Sequence, residues 1–366
     1  MAERVARARE ASGVTQESLG AMIGLDRTAI TRLESGDRNL KVSELISIAE
    51  ALHRPMAYFV ADPVPAVVSR RRDGHHHEST LALDTELEHF ASDVRSLLQS
   101  GDVLAQDRPA LKLRTPGSHD EAERMAEDVR QVAKASPGPI ADLGQLCETV
   151  GLMTYSSPIG EHGPDGACVE IVAGETVGAV AVINGDAPAG RRRMTLAHEL
   201  GHWLAGDAYD TTQSADAESM LNSFAIHLLA PRAGVLRLVG DHKREPLRQQ
   251  ALHVGAKFRL SWSACVSQLR NLGVIDPEQR ETLHRERPTR GEYARLGLTW
   301  ADELGAPYLS PGLTSQILNA YVRGSLAEER TLELLRGTLM ADDLPPRAPT
   351  TLDDLRLAFL DHGRRA

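Results

Sequence analysis

A chain of 366 residues, 42% hydrophobic and 25% charged, has room for two or three domains of ordinary globular composition. Its formal net charge of -10 argues against indiscriminate nucleic-acid binding across the whole surface, while leaving room for one local basic face. Three widely spaced cysteines, Cys147, Cys168 and Cys265, give neither a disulfide framework nor a cysteine-rich zinc site.

The N-terminus, Met1-Ala2-Glu3-Arg4, runs straight into a charged amphipathic pattern without the apolar core of a secretion signal. No run of about 18 apolar residues follows anywhere. A cytoplasmic protein with no membrane contact is expected.

Residues 3 to 60 read as short helices with tight turns. Arg4 to Ala11 suit the first and Gly13 ends it; Thr15 caps a second from Gln16 to Ile23, and Gly24 makes the turn. Asp26 caps a third from Arg27 to Glu34, ended by Ser35-Gly36. Two helices joined by a short glycine-containing turn form a helix-turn-helix unit. With Ile30 and Leu33 turned inward, Arg27, Thr28 and Thr31 face outward, where residues of a third helix reach base edges in the major groove. Gln16 suits a phosphate or base-edge contact, and Arg32, Arg38 and Lys41 suit the backbone. Thr15-Gln16-Glu17-Ser18-Leu19, the stretch from Thr28 to Gly36, and Leu45, Ile48, Ala49 and Leu52 together resemble the Cro/C1-type (XRE) helix-turn-helix family. The resemblance implies DNA binding. Acidic and basic residues roughly balance here, so a helical interaction module without a DNA role stands as the other reading. A homodimer on a palindromic operator would strengthen the weak phosphate attraction of a single copy.

Residues 61 to 80 form a linker with Pro63, Pro65, Arg70-Arg71-Arg72 and His75-His76-His77. The three histidines fit a solvated linker better than a metal site, because nothing fixes their geometry. Leu83 to Leu98 has helical apolar spacing and must pack on something, such as a dimer mate or the globular unit that follows. Residues 100 to 118 look loose.

A second globular unit starts near Ser118. Ser118 and Glu121 have capping-box spacing ahead of a helix to about Ala135, and a further helix runs from Ile140 to Val150. The period then changes: Ala167 to Val172 and Val177 to Ile183 are β-rich, with a hairpin at Gly174-Glu175-Thr176. Loops follow at Asn184-Gly185-Asp186 and Pro188-Ala189-Gly190. Helices dominate from Arg191 to the C-terminus.

The first of these carries His198-Glu199-Leu200-Gly201-His202. Residues four apart share one helical face, so both imidazoles can bind one Zn²⁺. Glu199 adjoins the first ligand and can take a proton from an attacking water. Such a centre needs a third protein ligand, and Glu218 offers one from the first turn of the next helix. Asn222 lies one turn further on the same face, placed to hydrogen-bond a ligand histidine. Leu221, Phe224, Ala225, Leu228 and Leu229 dock that helix, and Pro231 ends it.

Arg191, Met194-Thr195, Ala197-His198-Glu199-Leu200-Gly201-His202 and then Glu218, Asn222, Phe224-Ala225, Leu228-Leu229 and Pro231 resemble the ImmA/IrrE metallopeptidase family over about residues 120 to 275. The preceding run from Ala179 to Asn184 matches that family too. Met194 departs from its usual aromatic and Met220 from a common acidic residue, and neither departure removes a ligand. The resemblance implies a gluzincin-like fold, His198, His202 and Glu218 as zinc ligands, Glu199 as general base and a protein substrate.

The expected fold is mainly α with a small β-sheet (α+β). The expected units are a helix-turn-helix domain at 1–62, a linker and connecting helix at 63–117, a zinc metallopeptidase domain at 118–285 and a C-terminal helical module at 286–366. The expected function is a DNA-associated zinc metallopeptidase that cleaves a regulatory protein such as a repressor. The alternative is a helix-turn-helix regulator whose metal site is structural or a sensor.

Overall fold

The computed structural model describes residues 2–52, 59, 77–104, 114–174, 176–206, 215–299 and 302–347. The linker before His77, the first two of its three histidines, Glu175 of the hairpin, most of the polar loop before Glu218, and Pro349 lie outside the described residues.

The N-terminal unit contains α1 (Ala2–Ala11), α2 (Gln16–Ile23), α3 (Arg27–Glu34) and α4 (Val42–Ala51). Local chemistry sets its boundaries. The Thr15 side chain accepts from the Ser18 amide, Gly24 closes α2 in the left-handed region at φ 73°, and the Asp26 side chain accepts from the Ala29 amide. Val5, Ala8, Leu19, Ile30, Leu33, Leu45, Ile48 and Leu52 make its own small core.

The helix α5 (His77–Ser100) begins earlier than its apolar spacing predicts, inside the segment assigned to the linker. It precedes α6 (His119–Val132), α7 (Leu143–Thr149), β1 (Leu152–Ser157), β2 (Gly166–Ala173), β3 (Thr176–Asn184), α8 (Ala189–Ala205) and α9 (Ala215–Leu229). Ser118 caps α6 by accepting from the Glu121 amide. The helix α7 starts later than Ile140, because the Asp142 side chain accepts from the Gln145 amide and fixes the first turn there. Four further helices follow: α10 (Arg232–Asp241), α11 (Leu247–Phe258), α12 (Trp262–Asn271) and α13 (Pro277–Arg285). The chain continues through α14 (Arg290–Arg295), β4 (Tyr308–Leu309), α15 (Pro311–Arg323) and α16 (Glu328–Leu335). The architecture is α+β.

The four strands lie in the order β2-β3-β1-β4. β2 and β3 form the expected antiparallel hairpin, β1 runs parallel to β3, and β4 pairs antiparallel with β1. Alternation along β3 divides the core. Ala179, Ala181 and Ile183 face a cluster that includes Leu196, Leu200 and Trp203 of α8 and Phe224 and Leu228 of α9. Val180 and Val182 face Leu83, Leu87, Phe90 and Val94 of α5, with Leu313, Ile317, Leu334 and Leu335 of α15 and α16. The apolar stripe of α5 therefore finds its partner on the sheet.

The segment from residue 286, expected as a C-terminal helical module, contributes an edge strand and two helices to this same layered core. Tyr308 pairs with Ser156 and Leu309 with Tyr155, and the Ser310 amide donates to the Thr154 carbonyl at 2.9 Å. The N-terminal unit meets the layer through α5, where Arg4 of α1 pairs with Glu88 at 3.2 Å. Among the described residues no helix is long and apolar enough to cross a membrane.

Candidate metal centre

Helix α8 is packed on all sides: every residue from Arg192 to Leu204 is buried. Gly201 lets α9 approach it closely, because a Cβ there would lie 2.9 Å from Phe224 Cδ1 and 3.2 Å from Leu221 Cδ2. That approach carries the first turn of α9, with Glu218, toward the two histidines of α8.

The Nε2 atoms of His198 and His202 stand 3.0 Å apart. Glu218 Oε2 lies 3.2 Å from the first and Oε1 lies 3.6 Å from the second. Donors bound to one tetrahedral zinc at about 2.0–2.1 Å sit about 3.3 Å from each other, so these three separations suit that ion. Both histidines are 1% exposed, while the Glu218 side chain is 34% exposed and gives the cluster a solvent side.

Glu199 is fully buried, and neither of its carboxylate oxygens makes an aligned hydrogen bond, although the Cys168 side chain lies close enough to favour the charged form. Burial pushes its pKa up, with attraction from His202 and His198 acting against the rise. The Cys168 thiol of β2 donates to the Glu199 backbone carbonyl at 3.5 Å. A buried carboxylate without an aligned hydrogen bond beside converging imidazoles is costly unless a cation or a reactant completes it. These residues fit a zinc ion. Asn222 Nδ2 donates to the Glu218 carbonyl at 2.9 Å, which braces the turn that carries the third donor. Met194 is a core residue, 7% exposed.

The base of α8 is held by charges that the sequence reading did not single out. Arg192 donates to the Gly185 carbonyl at 2.7 Å and to the Glu303 carbonyl at 2.9 Å, and it pairs with Asp302. Arg193, with no exposed side chain, pairs with Glu303. Glu303 also receives Arg259 at 2.8 Å and accepts from the Leu143 amide at 2.8 Å. One carboxylate thus joins α7, α8 and α11.

In the N-terminal unit Arg27, Thr28, Thr31 and Arg32 are exposed on α3, opposite the buried Ile30 and Leu33. Gln16 Nε2 donates to Glu34 Oε2 at 2.7 Å, and Gln16 Oε1 accepts from the Thr31 hydroxyl at 3.1 Å. Arg9 clamps the same Glu34 at 2.6 and 3.0 Å. Gln16 is therefore oriented between α2 and α3. Arg38 differs from the expected spare cation. Both of its terminal nitrogens donate to Glu44, at 3.0 and 2.6 Å, and Glu44 also accepts from the Lys41 amide at the start of α4.

Residues 5–59 match the family model described as a helix-turn-helix. Residues 147–267 match the model of the IrrE N-terminal-like domain. No curated protein and no solved structure matches the chain.

Proposed function

From a chain that carries an XRE-type helix-turn-helix domain ahead of a metallopeptidase-type, ImmA/IrrE-like domain, we propose a zinc metalloendopeptidase that cleaves a regulatory protein and so controls transcription. The observation that carries this reading is the meeting of three donor side chains, with contacts of 3.0, 3.2 and 3.6 Å among their nitrogens and carboxylate oxygens, beside the buried carboxylate of Glu199.

His198, His202 and Glu218 would hold the ion. When bound, zinc supplies Lewis acidity toward a peptide carbonyl and acidifies water. Glu199 acts as general base: its place beside His198 on the same helix puts its carboxylate at the reacting centre. It takes the proton from the attacking water and delivers it to the leaving amine. The partly exposed Glu218 marks the side from which a peptide enters.

The helix-turn-helix domain supplies placement, with DNA raising the local concentration of a regulator bound nearby. A homodimer on a palindromic operator is the expected binding form, in the cytoplasm. The competing reading, a transcription factor with a structural zinc, is weakened by the cluster itself. Structural sites close with four protein ligands and do not need a free carboxylate beside them. The deciding experiment expresses the Glu199→Gln variant in the native host as a substrate trap. Retained zinc, lost cleavage and capture of a repressor support the peptidase. Unchanged regulation in that variant overturns it.

A further inference from the structure

We propose a second divalent transition-metal site, formed by His242, Glu245 and His253 at the turn between α10 and α11. These residues belong to neither the HExxH helix nor α9. His242 Nδ1 lies 2.8 Å from Glu245 Oε1, and His253 Nε2 lies 3.0 Å from Glu245 Oε2. One donor atom from each residue falls within 4.8 Å of the others. The two imidazoles stack face to face, with centroids 3.7 Å apart and planes 16° from parallel.

The backbone fixes this convergence. The His242 amide caps α10 by donating to the Leu238 carbonyl at 3.2 Å, and the Glu245 amide returns to the His242 carbonyl at 2.9 Å. Pro246 starts α11, and Gln250 Nε2 donates back to the Glu245 carbonyl at 2.8 Å. Two turns of α11 then bring His253 over His242.

An ion pair with Glu245 requires one imidazolium. A second one stacked on the first would add repulsion at close range. Glu245 Oε2 is buried and, among the described residues, is approached by His253 alone at 3.0 Å, a contact short of ideal alignment. The rings are nearly parallel, so their lone pairs do not meet as they stand; a turn of one partly exposed imidazole about its side-chain bonds would bring a nitrogen of each and the carboxylate onto one cation. Two nitrogens and one oxygen suit zinc, cobalt or nickel and not calcium or magnesium, which take all-oxygen shells. The three side chains are 15 to 34% exposed, so the ion exchanges with solvent. Bound there, it clamps α10 to α11.

The test measures zinc bound per full-length chain by metal analysis after titration and gel filtration. The wild type is expected to hold two equivalents. His198→Ala combined with Glu218→Ala should leave one, and addition of His253→Ala or Glu245→Gln should leave none. Zinc should raise the melting temperature of the background variant and leave that of the Glu245→Gln derivative unmoved. Circular dichroism separates ligand loss from misfolding, and the conservative Glu245→Gln change decides if His253→Ala is unfolded. A background variant that binds no zinc, or binding indifferent to both changes, overturns the site. One equivalent in the wild type that survives His198→Ala and vanishes with Glu245→Gln upholds this site and removes zinc from the proposed peptidase centre.

Discussion

His198 Nε2 and His202 Nε2 face each other at 3.0 Å, a separation at which two N–H groups cannot both point inward. At least one nitrogen presents its lone pair, and a shared cation lets both do so. His198→Ala and Glu218→Ala are each expected to abolish stoichiometric zinc at this centre, read by metal analysis. Glu199→Gln is expected to keep the zinc and lose cleavage by about 10²-fold or more. Full occupancy in the Glu218 variant would remove that residue from the ligand set.

Asp93 of α5 is 3% exposed and accepts from Arg330 and Arg336, each at 2.6 Å. Arg336 also lies over the rings of Phe90 and Tyr155, at 5.2 and 4.9 Å. Removing one partner from a buried ion cluster costs about 3–5 kcal/mol. Asp93→Ala should lower stability to urea by that order.

The same carboxylate sets a pH dependence. Burial works to raise the Asp93 pKa, but the charges of Arg336, His89 and Arg330 outweigh it and hold the group below its ordinary value. A carboxylate depressed in the folded state contributes stability that is complete above its unfolded pKa of about 3.9 and lost as pH falls through the folded value. Acid unfolding of Asp93→Asn should therefore show a shallower loss below about pH 4 than the wild type. Parallel acid limbs in the two proteins would exclude Asp93 as a source of the dependence.

Glu303→Ala should destabilise the domain by about 3–5 kcal/mol, because Arg193 is left buried without its carboxylate. Its effect should reach the metal centre, since Arg193 lies five residues before His198 on the same helix. Chemical denaturation and zinc affinity measured together check this. A variant with wild-type stability would show that the Arg193–Glu303 pair adds nothing to the fold.

What the sequence made legible was chemistry that acts within a few residues. The caps at Thr15, Asp26 and Ser118 and the left-handed Gly24 follow from side chains next to the amides they serve. The i,i+4 histidines likewise follow from helix geometry alone. Glu218 joins them only because Gly201 admits Phe224, a contact between helices that spacing can suggest but not place. Strand β1 was missed: Leu152 to Ser157 is buried at every position, so it carries no alternation of buried and exposed residues to read. The Arg193–Glu303 pair spans 110 residues, and no local pattern announces it. Arg130 of α6 was not singled out either; it is 5% exposed and donates to the carbonyls of Leu228, Ser136 and Gly138.

The last expectation concerns DNA. Arg27, Thr28, Thr31 and Arg32 present an exposed face, with Gln16 held beside them by Glu34 and Thr31. Arg27→Ala in the full chain should weaken specific binding by roughly tenfold or more and nonspecific binding much less, as expected for a base-edge contact. Arg38 is different, because its guanidinium is already engaged by Glu44. A phosphate must displace that carboxylate to reach it. Glu44→Gln removes the competing charge, so it should strengthen binding and steepen the salt dependence by about one unit per protomer. It also alters the first turn of α4, where Glu44 accepts from the Lys41 amide, so the fold of the variant is checked by circular dichroism. Fluorescence anisotropy across a salt series on candidate palindromes measures both effects. An unchanged salt slope in Glu44→Gln would place Arg38 away from the backbone. Absence of any binding at low salt would make the N-terminal unit a protein-interaction module.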